Sequence, residues 1–246
     1  MIDLYTWTTP NGRKVSILLE ELGLEYTVKP IDIANGEQST PEYLAINPNK
    51  KIPAIVDHET GMTLIESGAI MLYLADKYRR YIPQDFAGRW KTIQWLMWQM
   101  GGVGPMLGQV HHFVHFNPGK AAYAEERFSK EAYRLYGVLE GLLKSQDFVV
   151  GGYSIADIAL WPWVSRFEWQ KIDLTEFPHV KSWYLRIADR APVQRGYDVP
   201  KKVSEVPKPY IKSLATDWLA RTLGGAKRVI VSQLAENGSL KVFFER

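Results

Sequence analysis

The stretch NKKIPAIVDHETGMTLIESGAI, residues 49–70, decides the fold of this chain. Residues 51–57 and 62–65 are two apolar runs of strand length, joined by a turn at 59–61, which predicts a β-hairpin. A helix is predicted directly behind the second run, over residues 67–78, with its apolar residues on one side. This stretch therefore predicts a ββα unit, with a proline near its first strand and an acid–hydroxyl pair where its helix begins.

The residues before this stretch predict a β-α-β unit. Residues 2–5 form a short apolar run, and apolar residues then recur at helical spacing over 15–22. Residues 26–33 alternate as a second strand does. Because a helix connects these two strands, we expect them to be parallel. With a short helix at 41–46, residues 1–80 predict an α/β domain of the order βαβαββα.

The residues after this domain predict helices only. Residues 88–116 are rich in aromatic residues and helical in pattern, with interruptions expected at Gly101-Gly102 and Gly104-Pro105. Residues 121–144 follow the helical period throughout, and so does the stretch from Ser154. We therefore expect an all-α bundle over residues 86–207.

Residues 208–246 differ from the bundle and form an expected C-terminal extension of unknown role. Residues 217–223 have the pattern of a helical turn or two. Residues 229–234 and 240–244 are β-prone runs on either side of Asn237-Gly238, a dipeptide typical of hairpin turns.

Composition limits the classes of function. The chain has 246 residues, of which 46% are apolar and 23% are charged, values typical of a globular protein with room for two domains. It has no run of about twenty apolar residues and no basic, apolar leader at its start, so we expect no membrane partner and a cytoplasmic location. It has no cysteine, which excludes disulfides, thiolate metal sites and any mechanism that uses a thiol of the protein.

The net charge of +3 comes from the C-terminal residues. Residues 208–246 carry seven basic and three acidic side chains, so the rest of the chain is close to −1. The body therefore has no basic face of the kind that binds nucleic acid, and no nucleic-acid partner is expected.

Three short motifs in the first domain suit a small zwitterionic ligand. Thr8-Thr9-Pro10-Asn11-Gly12 lies at a helix N-terminus, where free N–H groups favour an anion, although Thr and Asn are also ordinary helix caps. A cis Ile52-Pro53 bond would turn the Ile52 backbone toward an extended peptide ligand, although a plain edge-strand proline is the alternative. Glu66 and Ser67 could hold an ammonium and a carboxylate, or Ser67 could simply cap its helix.

These motifs, in this order on a βαβ–ββα background, resemble the glutathione transferase family. Residues 9–12, 49–58 and 101–109 are similar to the Nu class, which contains bacterial glutathione-dependent disulfide-bond oxidoreductases and their yeast relatives. The resemblance covers about residues 1–200 and implies a thioredoxin-like domain followed by a helical domain. It also implies a homodimer that uses glutathione as co-substrate, as one molecule, two molecules or the disulfide.

The resemblance also implies roles for individual residues. Thr9 and Asn11 would be catalytic and hold the glutathione sulfur as a thiolate, since a helix N-terminus lowers the pKa of a thiol. The glutathione site would comprise Thr9, Asn11, Gln38, Ile52, Pro53, Glu66 and Ser67, with Arg127 contributed by the partner subunit. For Arg127, a solvated helix face is the alternative.

Two further features belong to the helical domain. Ser154-Ile155-Ala156-Asp157 is a capping box with a structural role. His111 and His115 are spaced i, i+4, but no Glu follows His111 as a zinc-protease motif requires, so no metal site is expected. We instead expect a second-substrate pocket at Met106, Gln109, His111, His112 and Phe113, with core packing or simple exposure as the alternative.

The leading hypothesis is reduction of disulfides, and of organic hydroperoxides, by thiol–disulfide exchange with bound glutathione. A second is a glutathione-dependent conjugating enzyme, or one that cleaves ethers or thioethers. A third, of another class, is a non-catalytic glutathione-binding or interaction scaffold.

Overall fold

A computed structural model describes residues 1–209 and the backbone of the strands at 229–234 and 240–244. The chain divides into two units after Pro209. In the second unit, β5 (Val229–Leu234) and β6 (Leu240–Phe244) pair antiparallel, with Val229 opposite Phe244. The predicted strands occur at their predicted bounds, whereas the predicted turn at Asn237-Gly238 and the predicted helical turn at 217–223 lie outside the described residues.

The first part of the chain is a four-stranded mixed sheet with helices, as predicted. The strand order is β2-β1-β3-β4, in which β1 and β2 are parallel and the other pairs are antiparallel. The strands are β1 (Ile2–Thr6), β2 (Tyr26–Pro30), β3 (Ala54–Asp57) and β4 (Met62–Ile65); the helices are α1 (Pro10–Leu22), α2 (Pro41–Leu44) and α3 (Ser67–Tyr78). The order βαβαββα is confirmed. Two strands are shorter than expected. Strand β3 begins only after Pro53, which has no N–H to donate to a neighbouring strand, and β2 ends at Pro30.

The register places four chain segments at one end of this sheet. Tyr5 pairs with Ala54, and Ala54 pairs with Ile65. On the other side of β1, Thr6 pairs with Pro30. The residues that follow β1, β2 and β4 and the residues that precede β3 therefore leave or enter the sheet at the same edge.

The second part of unit 1 is helical. Its helices are α4 (Phe86–Trp98), α5 (Gly104–Val110), α6 (Ala122–Leu143), α7 (Ile155–Val164), α8 (Pro178–Ala188) and α9 (Ala191–Tyr197). The interruptions expected between residues 88 and 116 do not occur, because π-helical turns at Gln99–Val103 and His111–Phe116 continue the helix. The N–H of Gly104 bonds the C=O of Gln99, which widens the turn just before Pro105, a residue without an N–H.

The capping box at the start of α7 is confirmed. The Ala156 N–H bonds Ser154 Oγ at 3.2 Å, and the Ser154 N–H bonds Asp157 Oδ2 at 3.0 Å. Asp157 is fully buried, and its other oxygen accepts hydrogen bonds from Val149 N and Trp183 Nε1, both at 2.9 Å. The box therefore connects α7 to the preceding loop and to α8.

Helix α1 packs closely against the helical domain. Ser16 Oγ donates to the Gly196 carbonyl at 2.7 Å, and Arg13 Nε donates to the Tyr197 carbonyl at 3.0 Å. A Cβ at Gly196 would lie 2.6 Å from Ile17 Cα, so only glycine fits there. No helix of the described residues has both the length and the apolar character needed to cross a bilayer.

Candidate functional site

The three motifs and Gln38 converge at one end of the sheet. Thr9 and Asn11 follow β1, Ile52 precedes β3, and Glu66 follows β4, while Gln38 lies after β2. Because the register aligns these strand ends, the residues predicted to hold a ligand lie around one sheet edge. The structure thus brings together the predicted site residues of the first domain.

The first of these segments is the N-terminus of α1. Thr9 is the N-cap, and its Oγ1 accepts the Gly12 N–H at 3.2 Å, so the capping role is real. The Thr9 hydroxyl proton is still free to be donated. Pro10 has no N–H, and no described residue accepts a hydrogen bond from the Asn11 N–H. This helix therefore offers a free backbone donor and the positive end of its dipole.

Asn11 is oriented by a residue of the helical domain. Trp163 Nε1 donates to Asn11 Oδ1 at 3.1 Å. Because an indole N–H can only donate, the amide oxygen of Asn11 faces Trp163, and its Nδ2 is left to donate elsewhere. Two donors of Asn11, one backbone and one side-chain, are thus available at the N-terminus of α1.

The second segment is the N-terminus of α3. Glu66 precedes the helix with φ +67°, a conformation that is strained for a residue with a side chain, and it provides no side-chain cap. Ser67, the first residue of the helix, is buried and does not act as the cap either. The first N–H groups of this twelve-residue helix therefore lack a side-chain cap, next to an exposed carboxylate and a buried hydroxyl.

Ser67 has a partner that sequence analysis did not identify. Lys14, from α1, is buried, and its Nζ donates to Ser67 Oγ at 3.2 Å and to Gln99 Oε1 at 2.5 Å. Burial lowers the pKa of Lys14 to about 7, and the nearby carboxylate of Glu66 opposes this shift. The sequence did indicate that Lys14 is buried, because it lies four residues before Leu18 and so extends the buried face of α1.

The third segment is the loop before β3. Asn47 Nδ2 and the Tyr43 hydroxyl both donate to the Lys51 carbonyl, at 2.7 and 2.6 Å. The Ile52–Pro53 peptide bond is cis. No hydrogen bond joins the Ile52 N–H or C=O to another described residue, so both groups can pair with an extended peptide.

Gln38 lies in a short 3₁₀ turn, Glu37–Ser39. Its Oε1 is buried and has no hydrogen-bond partner among the described residues. A buried amide oxygen without a partner is costly, and a ligand donor would satisfy it.

Arg127 and the residues predicted for a second substrate lie elsewhere. Arg127 is exposed on α6 and, with Met106 and Phe128, lines a cavity of about 580 Å³. Gln109 and His112 are exposed as well. Within the described chain, Arg127 does not join the segments at the sheet edge.

Two of the predicted pocket residues are packed against aromatic rings. Phe113 stacks on Phe128, with ring centroids 5.6 Å apart. His111 is buried, stacks on Trp163 and is hydrogen-bonded to Gln170. Burial, with smaller contributions from Arg166 and His115, lowers the pKa of His111 to about 4, so this ring is neutral.

Among the described residues, no group of three His, Asp or Glu side chains is placed to bind a metal.

A second cavity, of about 500 Å³, lies beside the N-terminus of α1, and sequence analysis missed it. Thr8, which directly precedes Thr9, lines it together with Arg166 and Trp169. Residues 203–205 and Pro207 line the remainder. Arg166 is largely buried and its Nε has no partner among the described residues. No sequence motif marks this cavity, because its walls come from distant parts of the chain.

Known families and individual proteins match this chain over most of its length. The profile of the glutathione S-transferase N-terminal domain matches residues 1–76, and that of the C-terminal domain matches residues 103–191. The disulfide-bond oxidoreductase YfcG of Escherichia coli (strain K12) is 50% identical over 196 residues, which cover 77% of this chain and 91% of that protein.

Solved structures show the same similarity. A glutathione transferase from Burkholderia graminis, with two glutathione molecules bound per subunit, has a TM-score of 0.76 and 44% identity, covering 82% of this chain and 89% of that one. A glutathione transferase from Pseudomonas putida, with one glutathione disulfide bound per subunit, has a TM-score of 0.77 and 42% identity, covering 81% and 91%.

Proposed function

The chain belongs to the glutathione S-transferase family, and from this premise we propose that it reduces disulfides with bound glutathione as the source of the thiol. The observation that carries the proposal is the N-terminus of α1, where Asn11 offers two free donors in a chain that has no cysteine. A helix N-terminus stabilises a thiolate. The protein lacks a thiol of its own, so the sulfur held there belongs to the ligand.

The remaining contacts fit the parts of glutathione. Glu66 and Ser67 suit the ammonium and carboxylate of the γ-glutamyl end. The unpaired backbone groups of Ile52 suit the cysteinyl residue, and the unpartnered Oε1 of Gln38 suits a donor of the peptide. The E. coli relative carries the name of a disulfide-bond oxidoreductase, and the Pseudomonas putida structure holds glutathione disulfide, which agrees with this reaction.

The proposed reaction has two exchange steps. The thiolate of one glutathione attacks a sulfur of the substrate disulfide and releases the other sulfur as a thiolate, which is then protonated. A second glutathione thiolate attacks the resulting mixed disulfide and releases the substrate's second thiol, which leaves glutathione disulfide. Organic hydroperoxides would be reduced by the same two thiols, with an alcohol and water as the other products.

We place the disulfide substrate in the cavity at Thr8, Arg166 and Trp169. This cavity adjoins Thr9, which holds the attacking sulfur in the proposal. The second-substrate pocket predicted at Met106, Gln109, His111, His112 and Phe113 is the alternative place for this substrate. Because the reaction consumes reduced glutathione, we assign the enzyme to the cytoplasm and, within the family, to the Nu class.

We also propose a homodimer. On α4, Phe86, Trp90 and Met97 are exposed, with Phe86 at 81% of its surface, and large apolar groups of this kind are typical of an interface. Arg127, which does not reach the site of its own chain, would then reach glutathione in the partner subunit. Sedimentation velocity should give twice the chain mass of 28.2 kDa.

The experiment that tests the function is the glutathione-dependent reduction of a small mixed disulfide, coupled to glutathione reductase and NADPH. The wild-type rate should be well above the uncatalysed exchange. Asn11→Ala should lower it about tenfold or more, since the side-chain donor and the Trp163 contact are lost. Asn35→Ala, the same change in an exposed loop, should leave it unchanged.

The outcomes separate the three hypotheses. No catalysed reduction with glutathione still bound would favour an enzyme that conjugates or cleaves ethers or thioethers. No binding of glutathione at all would favour the non-catalytic scaffold and contradict the proposed function.

A further inference from the structure

Lys14 is a buried amine whose hydrogen-bond partners are all neutral. Its side chain is 1% exposed, and its Nζ lies 3.2 Å from Ser67 Oγ, 2.5 Å from Gln99 Oε1 and 3.3 Å from Met100 Sδ. Among the described residues, no carboxylate lies within ion-pair distance of it. Burial without a counter-charge disfavours the charged form of the amine, so an anion bound nearby would stabilise protonated Lys14.

The geometry at Ser67 indicates where that anion would bind. Because Lys14 donates to Ser67 Oγ, the hydroxyl proton of Ser67 points toward another acceptor. Within the described chain that acceptor is the thioether of Met100, 3.6 Å away and weak. A carboxylate at the N-terminus of α3 would take this proton, accept the uncapped N–H groups of the helix and bring a negative charge close to Lys14.

We propose that Lys14 is a positioning residue that orients Ser67 and supplies the buried positive charge for the α-carboxylate of the γ-glutamyl end of glutathione, and that binding of this carboxylate protonates Lys14. The inference rests on the proposed function, which places the γ-glutamyl end at Glu66 and Ser67. It adds a charge from α1 to a site otherwise built from the residues that follow β4.

The direction of the pH effect follows from the surroundings of Lys14. Of the elements packed against it, α3 contributes Glu66 as the charged group, and the turn at Gln99–Val103 contributes the neutral Gln99 and Met100. With a pKa of about 7, a share of the free protein carries a neutral amine at pH 7. A bound carboxylate raises the pKa of Lys14, so binding takes up a proton and weakens as the pH rises above 7.

The first test uses the wild-type protein. Calorimetric titration with S-methylglutathione, whose thiol cannot ionise, is run at pH 7 in two buffers of different ionisation enthalpy. We expect an uptake of about half a proton per site, because a group with a pKa near the working pH is about half protonated before the ligand binds. An analogue with 4-aminobutyryl in place of γ-glutamyl keeps the ammonium and lacks the carboxylate, and it should bind more weakly with no proton uptake.

The second test compares two variants. Lys14→Met should weaken binding of S-methylglutathione about tenfold at pH 6, which corresponds to a ligand that raises the pKa of Lys14 by about one. The variant's affinity should also change little with pH between pH 6 and 8. Lys91→Met removes the same charge from an exposed position on α4 and should leave both properties unchanged. If Lys14→Met does not fold, the two ligands with the wild-type protein decide the question.

The two proposals fail in different ways. Tight binding of S-methylglutathione by the wild type without proton uptake, or equal uptake with the analogue or with Lys14→Met, overturns the role of Lys14 and leaves the proposed function standing. Absence of S-methylglutathione binding by the folded wild type overturns the proposed function itself.

Discussion

At the scale of single residues, the candidate site depends on groups that are oriented by neighbours. Asn11 is held by the indole of Trp163, and Ser67 is held by the ammonium of Lys14. In both pairs the neighbour donates, so the oriented residue keeps its own donor for the ligand. Removal of the neighbour should therefore affect the site without removing the residue that contacts the ligand.

Trp163→Phe tests this at Asn11. The Phe ring keeps most of the packing against His111 but cannot donate to the amide oxygen, so Asn11 loses its fixed orientation. We expect kcat/KM for disulfide reduction to fall about three- to thirtyfold, equivalent to about 1–2 kcal/mol. Trp95→Phe, a tryptophan of α4 without a contact to Asn11, is the control. Equal kcat/KM for Trp163→Phe and the wild type would show that the hydrogen bond from Trp163 to Asn11 does not contribute to catalysis.

At the scale of elements, the helical stretch from α4 to α5 contributes Gln99 to the site, because a π-helical turn interrupts its regular winding there. The π-helical turn at Gln99–Val103 widens the helix before Pro105 and brings Gln99 against Lys14. Gly104 leaves room for the Gln99 amide, since a Cβ there would lie 2.8 Å from its Nε2. Such turns often mark functional positions, and this one connects the helical domain to the N-terminus of α3.

The capping box of α7 gives a prediction at the same scale. Asp157→Ala leaves the buried donors of Val149, Ser154 and Trp183 without their acceptor. We expect a loss of about 3 kcal/mol in the free energy of unfolding, measured by urea denaturation. Asp85→Ala, which removes the exposed cap of α4, should cost only about 1 kcal/mol. Similar losses of unfolding free energy for the two variants would contradict the expectation that the buried Asp157 stabilises the fold more than the exposed Asp85.

At the scale of the whole described unit, α1 is the element that both domains share. Its first turn carries the proposed thiolate site, its middle contacts α9, and Glu21 near its end is paired with Arg190 at 2.6 Å. The site is therefore built on a helix that packs against α3 of the first domain and against α7 and α9 of the helical domain.

Gly196→Ala tests the contact between the domains. The new methyl group would meet the backbone of Ile17, which cannot move without shifting α1. We expect the free energy of unfolding to fall by about 2–3 kcal/mol, typical of overpacking. Gly137→Ala, inside α6, where the new Cβ would meet nothing within 4 Å beyond its own helix backbone, should instead be neutral or stabilise by up to about 1 kcal/mol. Melting curves of the two variants decide whether the close approach matters.

The sequence allowed the fold and the ligand-binding segments to be predicted, because periodicity and short motifs are local. It did not predict the partners of those segments. The helical period places Lys14 on the buried face of α1, but it does not indicate that Gln99 and Ser67 surround the amine. Trp163 meets Asn11 across 152 residues of chain. The cavity at Thr8 and Arg166 is likewise formed by distant segments, so no local pattern indicates it.

We propose above all that this cysteine-free chain uses the N-terminus of α1 to hold the sulfur of glutathione as a thiolate. The most direct measurement is an ultraviolet titration of the thiolate of bound glutathione, with the protein in excess. We expect the bound thiol to ionise clearly below pH 8.5, which is about the pKa of a free cysteine thiol. A bound thiol that ionises at or above the pKa of free glutathione would contradict it.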